Sequence, residues 1–212
     1  MTQQPDTPAS PDAATAPQLY LIAPVGAVPG AIAPLLAEIV ERFRPACIRI
    51  PGAGDEDRLG RVADVIRDIA HAYDIAVVID DHIQLALKHG LDGVHLTTGA
   101  KQVRYARKEL GADAIVGAFC GASRHEGLSA AEAGADYVSF GPAGETGLGD
   151  GETAPLDLFE WWSEMIEVPV VAEGGLDPAL IATLSRMTDF LAIGPEIWGD
   201  ETPSTKLSTL WR

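Results

Sequence analysis

The chain has 212 residues, 47% of them hydrophobic, with 15 basic against 31 acidic side chains and a formal net charge of −16. That length and apolar content suffice for one substantial core in one domain. The acidic balance excludes sequence-independent binding to nucleic acid or to an anionic membrane, which both need basic surface, and leaves room for a local pocket that takes a small anion.

The two cysteines, Cys47 and Cys120, show neither metal-type spacing nor a CxxC pair, which points to a reducing, cytoplasmic compartment. No apolar run reaches the length of a membrane span. Residues 1–16 are rich in Pro, Ala, Thr and Asp, without a basic or apolar leader region. They read as a disordered tail and not a signal peptide. The folded domain is expected over residues 17–212.

In chain order, Leu19–Ala23 predicts a first strand, and Ala31–Phe43 a helix with apolar residues at Ile32, Leu35, Leu36, Ile39, Val40 and Phe43. Cys47–Ile50 reads as a strand, Glu56–Ala72 as a helix, and Ile75–Ile79 as a strand buried on both faces. Gln84–Lys88 (helix), Gly93–Leu96 (strand), Lys101–Leu110 (helix), Ala114–Ala118 (strand) and Ser123–Ala133 (helix) follow. Tyr137–Phe140 is the next strand, left through Gly141-Pro142 into the glycine-rich acidic loop Gly144–Gly151. Leu156–Ile166 and Pro178–Arg186 predict helices around the strand Val168–Ala172; Phe190–Ile193 is the last strand, and Glu196–Gly199 starts a short helix.

A repeat runs through this order. Asp92, Asp113, Asp136 and Asp189 each precede a short apolar strand, three of them with a glycine two residues upstream, as helix-to-strand junctions of compact units would. Eight alternating units fit a (β/α)8 barrel. A doubly wound open sheet is the competing fold, but no GxGxxG follows the first strand.

In such a barrel the chemistry lies at the C-terminal strand ends. These carry Arg49, Asp80-Asp81-His82, Thr97-Thr98, Phe119-Cys120, Gly141-Pro142, Glu173-Gly174-Gly175 and Gly194-Pro195. Gly174, Gly175 and Gly194 suit a phosphate held by backbone N–H groups, although Pro195 removes one donor. Asp80 and Asp81 suit Mg²⁺, or one of them a helix cap; the residues alone leave this even. His95 reads as a core histidine, Ser123 as a helix cap, and at least one ring of Trp161-Trp162 as core or an oligomer contact.

From Asp80 onward these motifs resemble thiamine phosphate synthase, particularly its alphaproteobacterial type. The likeness rests on Ile79-Asp80-Asp81, Gly93-Val94-His95-Leu96, Cys120 with Ser123-Arg124-His125, Gly134 to Val138 through Gly141-Pro142, Val170-Val171-Ala172 with Gly174-Gly175, and Phe190 to Trp198. It implies a (β/α)8 transferase that joins an aminopyrimidine pyrophosphate to a thiazole phosphate, releasing pyrophosphate with Mg²⁺. Carried over by residue, it implies Arg49 as a catalytic and substrate-binding arginine and Asp81 as the metal ligand. Asp80, Cys120, Thr146, Gly174, Gly175 and Gly194 would contact substrate or phosphate. The implied partners are small phosphorylated heterocycles, with a homo-oligomer left open.

Several positions depart from the family pattern. Cys47 and Pro51 stand where the pattern has glutamine and lysine, and Ala100 where it has a second metal aspartate. The loop after Pro142 lacks its lysine, and Glu173 replaces an apolar residue. Lys101, Arg104 and Arg124 are the cations near enough in sequence to compensate. Two alternatives stay open: a thiazole tautomerase-like isomerase with His125 as acid–base, and a non-catalytic barrel that binds a phosphorylated thiamine precursor.

Overall fold

Strand and helix alternate from Gln18 to Trp198, and the strands close on themselves. A computed structural model describes residues 16–211, so the tail expected over residues 1–16 lies outside the described residues except for Ala16. The strands are β1 (Gln18–Ile22), β2 (Cys47–Ile50), β3 (Ala76–Asp80), β4 (Gly93–Leu96), β5 (Ile115–Phe119), β6 (Tyr137–Phe140), β7 (Val170–Glu173) and β8 (Phe190–Ile193). All pairings are parallel, and β8 pairs with β1 through Gln18↔Phe190 to Leu21↔Ile193, so the open sheet is ruled out.

The outer layer is α1 (Pro29–Phe43), α2 (Glu56–His71), α3 (Ile83–His89), α4 (Val103–Leu110), α5 (Arg124–Glu132), α6 (Leu156–Met165), α7 (Pro178–Leu184), α8 (Pro195–Trp198) and α9 (Pro203–Leu210). A 3-10 turn, Gly99–Gln102, leads into α4 where one helix from Lys101 was expected. The helix α9 was not expected; it buries Pro203, Leu207 and Leu210. Ser123 caps α5 by accepting from the Glu126 N–H at 3.2 Å, and the Trp162 ring is fully buried.

Side chains alternate across each strand. Leu19, Leu21, Ile48, Ile50, Val77, Ile79, Val94 and Leu96 belong to the large core under the helices, while Tyr20, Cys47, Val78, Tyr137, Val171 and Ala192 form a second cluster in the lumen. Gly117 makes room there: a Cβ on it would lie 1.9 Å from the Tyr137 ring.

The aspartate repeat has a mechanical meaning. Asp92, Asp136 and Asp189 each accept from an N–H within the first two residues of the preceding strand, Val77 at 2.7 Å, Val116 at 2.7 Å and Val170 at 2.8 Å. Each aspartate's own N–H donates back to the same residue's carbonyl, at 2.8, 2.8 and 3.1 Å. Asp113 does not join them, because β5 begins at Ile115 and Ala114 intervenes. Arg107 of α4 serves that junction instead, donating to the carbonyls of Gly111, Ala112 and Ala114 and, across it, to Gly134 O and Asp136.

Candidate active site

The parity that puts Tyr20 and Cys47 in the lumen also turns Arg49, Asp80, His95, Ser139 and Glu173 inward, one step nearer the C-terminal mouth. All five are buried. Arg49 Nε donates to Asp80 Oδ1 at 2.6 Å, Nη2 to Asp80 Oδ2 at 3.4 Å, and Nη1 to Glu173 Oε2 at 2.8 Å. Ser139 donates to the other Glu173 oxygen at 2.6 Å. Glu173 therefore points into the barrel, with 1% of its surface exposed. One guanidinium faces two carboxylates, so the ionised cluster carries one net negative charge.

Burial alone would pull the Arg49 guanidinium down, but Glu173 and Asp80 outweigh it and hold it well above its ordinary value. Burial raises the Asp80 carboxyl, with Arg49 opposing the shift.

Beneath the cluster lies an uncharged chain. Tyr20 and Tyr137 share a hydroxyl hydrogen bond of 2.7 Å, and Tyr137 Oη meets His95 Nδ1 at 2.8 Å. Burial first, and then the charge of Arg49, push the His95 imidazole well below its ordinary 6.5. His95 Nε2 has no hydrogen-bond partner and stands 4.0 Å from Glu173 Oε1. The tautomer that directs an Nε2 proton at that carboxylate and accepts from Tyr137 at Nδ1 is the favourable one. The expectation of a core histidine is met.

The glycine loops form a second anion site at the rim. The N–H groups of Gly175 and Leu176, after β7, and of Gly194, after β8, converge on one point. A carboxylate of the chain already sits there: Glu196 Oε1 accepts from Gly175 at 3.1 Å and Leu176 at 3.4 Å, and Oε2 from Gly194 at 2.9 Å. Backbone must pass close on both sides. A Cβ at Gly194 would lie 2.7 Å from Ile22 O, and Gly174, at φ 84°, would meet Leu148 and Pro142.

The loop after β6 is fastened to this rim. Ala143 donates to Glu173 O at 2.9 Å, Gly144 donates to Gly174 O at 2.9 Å, and Ala154 donates to Pro142 O at 2.8 Å. Its tip, with Thr146, is exposed.

Asp81 is separated from Asp80 by backbone geometry. Its φ of 54° turns it outward, where Oδ1 accepts from Thr97 N at 2.9 Å and Oδ2 from the Thr97 hydroxyl. It borders a polar cleft of about 320 Å³ with Glu56, Gln84, Lys88, Gln102 and Tyr105. Cys120 is buried at the end of β5, its thiol pushed up to about 12 by burial, so it offers a neutral S–H and not a thiolate. His125 is exposed on the first turn of α5, outside the Arg49 cluster. Lys101 and Arg104 are exposed, and the Arg124 guanidinium lies 4.1 Å from the Trp161 ring centroid. Among the described residues none of these three forms an ion pair.

Residues 19–194 match the family model described as thiamine monophosphate synthase. The chain belongs to the thiamine monophosphate synthase family. A thiamine-phosphate synthase of Rhodospirillum centenum is 41% identical over 185 residues, covering 85% of this chain and 89% of that protein. One of Erythrobacter litoralis is 39% identical over 193 residues, covering 87% and 90%. Among solved structures, a thiamine phosphate pyrophosphorylase from Pyrococcus furiosus superposes with a TM-score of 0.76 at 22% identity, covering 91% of this chain and 93% of that one. At that identity the superposition speaks for the barrel alone.

Within this family's barrel, Arg49, Asp80, Gly174, Gly175 and Gly194 fall in the mouth, Cys120 beside it, and Asp81, Thr146 and His125 on the outer rim. Sequence reasoning did not single out Glu196 or Ser139. A carboxylate two residues after a strand-end glycine is the local signal for Glu196, since it can fold back on its own turn as in a capping box. Its reach to Gly175 and Leu176 is tertiary and has no local signal.

Proposed function

We propose that this chain joins an aminopyrimidine pyrophosphate to a thiazole phosphate. The C–O bond to pyrophosphate breaks with its electron pair, and the thiazole nitrogen lone pair forms the new C–N bond to the exocyclic carbon. The observation that supports it most is the rim cradle of Gly175, Leu176 and Gly194 N–H groups, in a chain whose residues 19–194 match this family. These N–H groups are the donors proposed for the thiazole phosphate.

The lumen cluster serves the other half of the reaction. A buried net negative charge formed by Arg49, Asp80 and Glu173 favours the pyrimidine cation that ionisation creates. Three of the five Arg49 N–H donors are used within the cluster, which leaves two to receive a leaving oxygen.

Mg²⁺ is the proposed cofactor. Among the described residues no group of three His, Cys, Asp or Glu side chains is placed to hold a metal, and Asp81 offers one exposed rim carboxylate. That fits an ion carried in on pyrophosphate, since Mg²⁺ is commonly bound by one or two carboxylates plus substrate phosphates. Bound there, it would neutralise the leaving group. A cytoplasmic setting is supported by two buried, unpaired cysteines.

An assay of pyrophosphate release from the two substrates tests the reading. Mg²⁺-dependent release is expected, lowered about 100-fold or more by Asp81→Ala. No release from saturating substrates would sink the reaction, and full activity in Asp81→Ala would remove the metal assignment.

A further inference from the structure

The cradle at the rim is not vacant. A phosphate placed on the Gly175, Leu176 and Gly194 N–H groups needs the donors that Glu196 already occupies at 3.1, 3.4 and 2.9 Å. The N–H groups come from two loops, and Pro195, between Gly194 and Glu196, supplies none. Nor can the two anions share the point. A carboxylate and a phosphate a few ångströms apart repel by about 1 kcal/mol per pair of charges in water, and by more at a half-covered site.

Granting the proposed phosphate site, we propose that Glu196 is the resident anion of the cradle and a specificity-determining residue. A phosphorylated substrate binds only by displacing its carboxylate. Displacement is feasible here because Glu196 is half-buried, so the carboxylate can turn into water and recover its hydration. Its role is that of a threshold. Ligands whose phosphate makes more and shorter bonds than one carboxylate enter the cradle, while weaker anions, and neutral analogues lacking a phosphate, leave it shut. No covalent step is involved.

The test uses the full chain and inorganic phosphate as the probe, with calorimetric titration as the readout. Glu196→Ala should bind phosphate about tenfold more tightly than the parent chain, since hydrogen bonds to a charged group no longer have to be broken first. Glu196→Gln, which keeps an acceptor oxygen without the charge, should fall between the two. Phosphate should also raise the melting temperature of Glu196→Ala more than that of the parent, because it refills unpaired N–H groups. If Glu196→Ala folds poorly, the Gln variant alone decides the matter. Unchanged or weaker phosphate binding in the variant that folds overturns the proposal. Pyrophosphate release is scored separately: tightening without release leaves Glu196 as the resident anion and removes the proposed reaction, whereas release without tightening does the reverse.

Discussion

The Arg49 cluster and the glycine cradle are both anion-binding elements, and both hold carboxylates of the chain itself. In the lumen, Asp80 and Glu173 are pinned on a guanidinium with almost no water access. At the rim, Glu196 rests on neutral N–H groups and is half-exposed. The same chemistry thus has opposite consequences. A buried ion pair loses its partner at high cost because the orphaned charge cannot be hydrated, whereas the rim carboxylate exchanges its partners for solvent. The first is built to stay and the second to be replaced.

This contrast is sharpest under substitution. Arg49→Ala strands two buried carboxylates and should cost about 3–5 kcal/mol of unfolding free energy, measured by urea denaturation. A loss under about 1 kcal/mol would mean that the cluster behaves as an exposed one. Glu173→Leu leaves Arg49 and Asp80 paired one to one and removes the acceptor of the Ser139 hydroxyl and of one guanidinium edge, together with the carboxylate that faces His95 Nε2. It should cost less, about 1–3 kcal/mol. Equal losses in the two variants would contradict the pairing described.

The smallest effect is a pH dependence. Folded His95 is held neutral, while the unfolded chain protonates it below about 6.5. Its contribution is therefore present above that pH and lost as pH falls, at up to about 1.4 kcal/mol per pH unit. Asp80 has the opposite sign. Raised above 3.8, its contribution is present below that value and lost as pH rises through its folded pKa, so it cannot mimic the histidine effect. Stability measured from about pH 6.5 to about pH 5 should fall less steeply in His95→Asn; an unchanged slope would place the titrating group elsewhere.

Much of this was legible in the chain. The strands Cys47–Ile50, Gly93–Leu96, Tyr137–Phe140 and Phe190–Ile193 have the expected bounds, because turn residues bracket each one. Other strand ends moved by a residue or two, since a strand buried on both faces shows no alternation to mark its limits. The final helix has little local signal because Ser204, Thr205, Ser208 and Thr209 are weak helix formers, and tertiary burial of Pro203, Leu207 and Leu210 holds it. Arg49, Asp80 and the glycines could be found from strand ends alone. The inward direction of Glu173 follows from strand parity once β7 is known to run from Val170 to Glu173. The seat of Glu196 depends on β7 and β8 lying side by side, as Ala172↔Leu191 shows.

Arg107 has a consequence of another kind. Its Nη1 group grips Gly111 and Ala112 on one side of the 112–113 peptide link and Ala114 on the other, while Nη2 holds Gly134 and Asp136 in the next unit. At the junctions closed by Asp92, Asp136 and Asp189, the side chain and the strand it fastens are continuous with the link itself. At the fourth, the clasp belongs to the upstream helix and reaches over the link. That makes it the natural seam of the barrel, where two halves of the polypeptide would still be joined across the break by this arginine as well as by the β4–β5 ladder.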